Sequence, residues 1–206
     1  MSALSHPVRR WERGDLPASQ RLALSAVFVA LGTVLSVVSI PAGPAKVFPF
    51  QHMINVLSGV LLGPWYAVLT ALGISLLRNA LGTGTFLAFP GSMIGALLVG
   101  LGYHYVRRTD LMALLEPVGT VLIGGFVGYL LIAPLTAPVQ LLGFIAARPS
   151  APYLGLTGAL AVIVSFGVSS IPGSLLGLVM LRALRRAGVG LAPARRGSPN
   201  AQPDRA

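Results

Sequence analysis

Residues 51–103 read QHMINVLSGVLLGPWYAVLTALGISLLRNALGTGTFLAFPGSMIGALLVGLGY, and this stretch decides the fold. Apolar residues dominate it, yet its polar residues are grouped. Gln51, His52 and Asn55 open it, Arg78, Asn79, Thr83 and Thr85 cluster in its middle, and Gly63-Pro64 punctuates the run between them. Polar side chains at such depth in a membrane sequence are costly and mostly face a protein interior or a cavity. Gly suits the position just past a helix end, and Pro the first turn of the next helix. The stretch therefore predicts two helices turning at Gly63-Pro64, running to and from a shared polar region.

Composition sets the environment of those helices. Of 206 residues, 54% are hydrophobic and only 10% charged, against about 25% charged in a soluble domain. The chain reads as an integral membrane protein. It has no cysteine, which excludes disulfides, thiol catalysis and thiolate metal sites. A net charge of +10 raises the question of a nucleic-acid partner. The basic residues instead flank apolar runs, as topology signals do, so no nucleic acid is expected. The run 22–40 follows Arg9, Arg10 and Arg13. It is longer than the ~7–15 residues of a signal-peptide core and no cleavage pattern follows it, so it reads as a first membrane helix.

Further spans are expected near residues 91–105, 116–135 and 159–184, the last interrupted by Pro172. With two helices in 53–77 there are six spans and both termini share one side. Arg9, Arg10, Arg13, Arg21, Arg107, Arg108, Arg182, Arg185, Arg186, Arg195, Arg196 and Arg205 then lie on that side. Lys46, Arg78 and Arg148 lie opposite, a split of twelve to three among the 15 basic residues. A single helix in 53–77 would break the positive-inside rule. The expectation is thus an all-α membrane bundle of six transmembrane helices with both termini cytoplasmic (N-in/C-in). Residues 1–21 would be a cytoplasmic segment, 22–186 the membrane domain, and 187–206 a disordered cytoplasmic tail. The second and third helices look short, so their outer ends should stop beneath external loops at 41–50 and 136–152. Glycines four apart, at 91 and 95, 124 and 128, and 173 and 177, read as close helix packing.

Most catalytic constellations are missing. The acidic residues Glu12, Asp15, Asp110, Glu116 and Asp204 fall in tails or at a membrane border, which argues against proton-relay or sodium-coupled transport. LGTGTF at 81–86 lacks the third glycine of a dinucleotide fingerprint, and no phosphate-binding P-loop occurs, so no ATP site is expected. His6, His52 and His104 never form a spaced pair, which leaves a metal site without support; no cofactor is expected. His52 reads either as a ligand contact or as a helix-start residue bonded to nearby backbone. Arg78 and Asn79 read as caps of the third helix or as ligand contacts. Phe48, Phe50, Phe86 and Phe89 sit where an aromatic lid would be useful, though each alone also reads as packing.

At HMINVLSGVLLGPWYAVLTA (52–71), LLRNALGTGTFLAFPGSMIGALLVGL (76–101) and SSIPGSLLGL (169–178) the chain resembles the substrate-binding S components of energy-coupling factor (ECF) vitamin transporters. It is most similar to their thiazole-specific ThiW branch, over about residues 22–184. The resemblance implies a six-helix fold in the cell membrane with an outward pocket closed by external loops, and no enzymatic activity. It implies a membrane T component and two cytoplasmic ATPases as partners, and the thiamin precursor hydroxyethylthiazole as ligand. Small residues of the first helix would face the T component; Ala23, Ala26 and Ala30 fit that role. Polarity and topology supply the candidate ligand residues: His52, Asn55, Arg78, Asn79, Thr83, Thr85, Phe48 and Phe86. For a neutral, flat thiazole, Phe48 or Phe86 would stack, His52, Asn55 and Asn79 would hydrogen-bond, and Arg78 would anchor a cap or loop. The alternatives are an S component for another vitamin or precursor, a small membrane enzyme using His52, Arg78 and Asn79 on a lipid, and a non-binding assembly subunit.

Overall fold

A computed structural model describes residues 16–42, 45–86, 88–132 and 156–188. Within these, six helices form one bundle beside a short β-hairpin. Helix α1 spans Ala18–Leu35. Strands β1 (Ile40–Ala42) and β2 (Ala45–Val47) pair antiparallel, with Ile40 opposite Val47 and Ala42 opposite Ala45. Then come α2 (Pro49–Leu62), α3 (Pro64–Ala80) and α4 (Ala88–Leu101), the last extended by a π-helical turn, Gly102–Val106. Helix α5 covers residues 110–132; it opens as a 3-10 turn, Asp110–Leu114, and is π-helical over Val118–Gly124 and Gly128–Ile132. Helix α6 is Leu156–Arg186. The expected spans are thus present as helices, α1 beginning at Ala18 within the expected N-terminal segment, while the loop 136–152 and residues 1–15 and 189–206 lie outside the described residues.

Helix α2 is the centre of the bundle: every residue except Phe50 and Leu61 is buried. Ile54, Val56 and Val60 on it pack with Ile74 of α3, Val99 of α4 and Leu181 of α6. The turn from α2 to α3 is made by Gly63 alone, at φ 94°, a backbone state open to glycine and strained for residues with a Cβ. Close approach elsewhere also depends on missing side chains. A Cβ on Gly119 of α5 would stand 2.8 Å from the Gly95 Cα on α4, and one on Gly177 of α6 would stand 2.7 Å from the Val56 Cβ on α2. Gly91, Gly95, Gly173 and Gly177 are contact points between helices of this one chain, as small residues are in membrane bundles.

Beside that apolar core the bundle buries a polar layer, and its outer surface is apolar. Gln51, Asn55, Ser58, Thr70, Ser75, Arg78, Ser92, Glu116, Thr120, Ser170 and Ser174 are buried, while Leu22, Leu31, Val34, Leu122, Phe126, Val164, Ile171, Leu175 and Val179 are exposed. An apolar surface that covers helix after helix is suited to lipid, and polar residues in membrane helices turn inward. Three helical segments, Ala18–Leu35, Asp110–Leu130 and Val162–Arg186, are long and apolar enough to cross a membrane. The shorter α2, α3 and α4 have 14, 17 and 14 residues.

Three sequence expectations need correction. Helix α1 stops at Leu35 rather than at residue 40, and the loop that follows contains the hairpin. The β-branched Val37, Val38 and Ile40 favour extended backbone, and Pro41 cannot donate to a helix. Helix α6 is not interrupted at Pro172, which lies inside it at an exposed position. Helix α5 begins at Asp110, six residues before the expected start at 116. Arg185 of α6 holds that start, with its Nε 2.8 Å from the Asp110 Oδ1 and its Nη2 3.0 Å from the Tyr103 hydroxyl.

Candidate functional site

The first two turns of α2 carry Gln51, His52 and Asn55, which the helical repeat turns toward α4, α5 and α6. What they meet on α5 is Glu116, with no exposed surface at all. The His52 Nδ1 lies 2.8 Å from the Glu116 Oε1, and the Asn55 Nδ2 donates to the same oxygen at 3.1 Å. The Thr120 hydroxyl stands 2.7 Å from Oε1 and 3.1 Å from the Gly91 carbonyl, sharing one proton between them. On the other oxygen, Oε2, Ser170 and Ser174 of α6 donate at 2.5 and 3.0 Å. Glycines make the room: a Cβ on Gly95 would come within 2.8 Å of the Glu116 Oε1, and one on Gly173 within 2.6 Å of the His52 Cβ.

From Asn55 the network runs toward the hairpin end. The Ser92 hydroxyl donates to the Asn55 Oδ1 at 3.2 Å and accepts from the Gln51 Nε2 at 3.1 Å. Arg78, buried at the end of α3, donates through Nη1 to the Gln51 Oε1 and through Nη2 to the Thr83 carbonyl at 3.0 Å. Its guanidinium lies 4.3 Å from the centre of the Phe48 ring, a cation–π distance. The Phe48 amide N–H in turn donates to the Ser169 Oγ at 3.2 Å. Two buried polar atoms of this region, the Arg78 Nε and the Ser75 Oγ, have no hydrogen-bond partner among the described residues.

The structure divides the eight expected ligand residues into two groups. His52, Asn55, Arg78 and Phe48 belong to the interior network. Asn79, Thr83, Thr85 and Phe86 form a rim on the connection between α3 and α4. Asn79 donates its amide to the Ser75 carbonyl at 2.8 Å and, more weakly, to the Thr85 carbonyl at 3.5 Å, so it shapes that connection. Thr83 and Thr85 are exposed, and the half-exposed Phe86 stacks with Phe89 at 6.1 Å. Arg78 anchors the same connection, since its carbonyl accepts from the amides of Thr83 and Gly84. The alternative for His52, a bond to nearby backbone, is overturned: its partner is a side chain on another helix.

The larger correction concerns Glu116. Placing every carboxylate in a tail or at a border fails because α5 starts at Asp110, which carries Glu116 about 9 Å further along the helix axis. Thr120, Ser170, Ser174, Gln51 and Ser92 were missed as its companions. A signal did exist: Glu116 and Thr120, and Ser170 and Ser174, are polar pairs four apart in apolar helices, each lining one face. Among the described residues no three metal-ligating side chains gather; Glu116 and His52 form a pair only.

A protein-family model described as thiamine-precursor transporter protein (ThiW) matches residues 22–187. The chain belongs to the ThiW family. Among solved structures, the S-component for biotin from an ECF-type ABC transporter has the same fold, with a TM-score of 0.52 and 19% identity over 83% of this chain and 95% of that one. No curated protein matches the chain. By its family the chain is a thiamine-precursor transporter protein, and the layer around Glu116 is the polar centre of its fold.

Removing that carboxylate leaves the buried donors of His52, Asn55, Ser170 and Ser174 without their acceptor. Breaking a buried charge cluster in this way costs roughly 3–5 kcal/mol. Glu116→Ala is expected to lower the melting temperature in detergent strongly, and Glu116→Gln, which keeps the shape and one acceptor oxygen, to lower it less. Equal melting of Glu116→Ala and the unsubstituted protein would show that the carboxylate does not hold the bundle.

Proposed function

We propose that this ThiW-family protein is the S component of an ECF-type uptake transporter in the cell membrane and that its ligand is hydroxyethylthiazole, the thiazole precursor of thiamin. It acts by binding rather than by catalysis. The observation that carries the reading is the polar network at the hairpin end of a lipid-suited bundle, where His52 and Asn55 lie deep and Phe48 stands over Arg78. A neutral thiazole would stack on an aromatic ring of that end and bond to polar groups below it. With about nine non-hydrogen atoms at a ceiling of about −1.5 kcal/mol each, nanomolar affinity is physically accessible. Arg78, tied to Gln51 and Thr83, serves this reading as a loop anchor.

The hairpin end is proposed to face outward and both termini inward. Arg21, Arg107, Arg108, Arg182, Arg185 and Arg186 gather at the end that holds the Gly63-Pro64 turn, which suits a cytoplasmic surface. The exposed face of α1 bearing Ala23, Ala26 and Ala30 is proposed to meet a membrane T component, which couples the subunit to two cytoplasmic ATPases; α1 packs on its own bundle through a different face, at Ser25 and Gly32.

Three measurements test these statements. In calorimetry the purified protein should bind the thiazole alcohol at least about tenfold more tightly than its phosphate ester, because the Arg78 guanidinium is buried and turns Nη1 and Nη2 to Gln51 and Thr83; tighter phosphate binding would turn Arg78 into a ligand contact, and binding of neither would remove the thiazole assignment. For orientation, the cysteine-free chain allows single cysteines at the exposed Thr83 and Arg108: an impermeant thiol reagent on intact cells should label position 83 and spare position 108, and the reverse pattern would invert the topology. For docking, Ala26→Leu combined with Ala30→Leu should abolish pull-down of the T component and leave ligand binding intact, since overpacking a close helix contact costs ~1–3 kcal/mol; a double variant that still assembles would move the interface elsewhere.

A further inference from the structure

We infer that Glu116 holds His52 as a pure hydrogen-bond acceptor toward the ligand, so that the bound molecule must bring its own proton donor. This rests on the ligand reading above and adds the sense of its central hydrogen bond. Among the described residues, the charged side chains buried in the bundle are Arg78, 4% exposed, and Glu116, fully buried. A guanidinium keeps its proton in proteins, and a carboxylate surrounded by His52, Asn55, Thr120, Ser170 and Ser174 has the donors of an ionised group. One of each sign, they are linked by the Gln51–Ser92–Asn55 relay. A third charge on His52 would leave the interior with net charge, which a membrane bundle opposes. The groups facing His52 are Glu116 from α5, Ser170 and Ser174 from α6 around the same carboxylate, Ser92 from α4 through Asn55, and Arg78 from α3 through Gln51. Neutral His52 is the balanced state.

The tautomer follows from the geometry. An ionised carboxylate has no proton to offer, so the proton between it and His52, 2.8 Å apart, sits on Nδ1. The Nε2 then presents a lone pair. It has no hydrogen-bond partner among the described residues. The His52 side chain keeps 9% of its surface accessible, against none for Glu116, which makes it the point where the buried charge layer reaches outward. The chemistry that fits is an uncharged small molecule with a hydroxyl or N–H directed at Nε2. A phosphate monoester would set lone pairs against a lone pair, close to the Glu116 charge. In hydroxyethylthiazole the hydroxyl, not the ring nitrogen, would meet His52. Glu116 is a positioning residue in this arrangement.

The test uses the full chain in detergent or nanodiscs. Nitrogen NMR of histidine-labelled protein at neutral pH should show His52 neutral, with the proton on Nδ1; an imidazolium, or a proton on Nε2, would overturn the inference. Calorimetry should show the thiazole alcohol binding at least about tenfold more tightly than its methyl ether, which can accept but not donate. In His52→Asn an amide N–H can replace Nδ1 against Glu116 while nothing stands at the Nε2 position. This variant should melt near the unsubstituted protein and lose the alcohol-over-ether preference; a preference retained in it would overturn the inference. The NMR result stands whether or not the variant folds. Binding of neither alcohol nor ether, with the Nδ1 tautomer observed, would remove the thiazole assignment and leave the acceptor site in place.

Discussion

The carboxylate of Glu116 has no route to water, so every interaction that offsets its burial must come from the protein. An isolated ionised carboxylate in a medium of low polarity is prohibitively costly. The cost is met by donors from three helices: His52 and Asn55 on α2, Thr120 one turn along α5, and Ser170 and Ser174 on α6. Such donors reach one group only if the helices approach closely. Gly95 and Gly173 stand where a side chain would collide with the Glu116 carboxylate or with His52. Glycine placement and the polar centre are therefore one design: the glycines permit the approach, and the carboxylate gives it a fixed geometry. Buried polar networks in a low dielectric are strong when complete and damaging when not, which suits a site that must be rigid before a ligand arrives.

The same network connects that centre to the surface. Arg78 joins the end of α3 to the start of α2 through Gln51, and its second arm holds the Thr83 carbonyl, so the connection to α4 is set by a buried cation. Phe48, between the hairpin and α2, lies over that cation and is tethered by Ser169 of α6. The hairpin end is thus tied to α2, α3 and α6 at once. A ligand entering from this end would meet aromatic and backbone groups first and the lone pair of His52 below them.

At the opposite end the constraints are of another kind. Gly63 turns α2 into α3 within one residue, and the backbone of Pro64 lies so near Gly100 that a Cβ there would come within 2.7 Å of the proline nitrogen. Arg185 clamps the start of α5 through Asp110 and Tyr103. That clamp lies on the first residue of α5, six residues before Glu116. The exposed arginines nearby suit a charged aqueous surface, and the apolar flanks of α1, α5 and α6 suit lipid.

The membrane class, the number of helices, the turn at Gly63-Pro64 and the packing role of the glycines were all legible in the chain, because hydropathy, helix punctuation and residue size act locally. His52, Asn55 and Arg78 also stood out, as polar residues within apolar runs. Their partners did not. Glu116 looked peripheral because linear reading places a residue by its distance from the edge of an apolar run, whereas the helix begins at Asp110, held by Arg185 far away in sequence, and Glu116 lies about a turn and a half inside it. Ser170 and Ser174 looked unremarkable because a hydroxyl in an apolar helix can bond its own backbone, as Ser58 does; only the approach of α6 to α2 and α5 gives these two a carboxylate instead. Asn79 read as a cap or as a ligand contact, and only the fold shows its amide on the Ser75 and Thr85 carbonyls. Residue type sets which hydrogen bonds a side chain can make, but which it does make depends on distances that only the packed helices define.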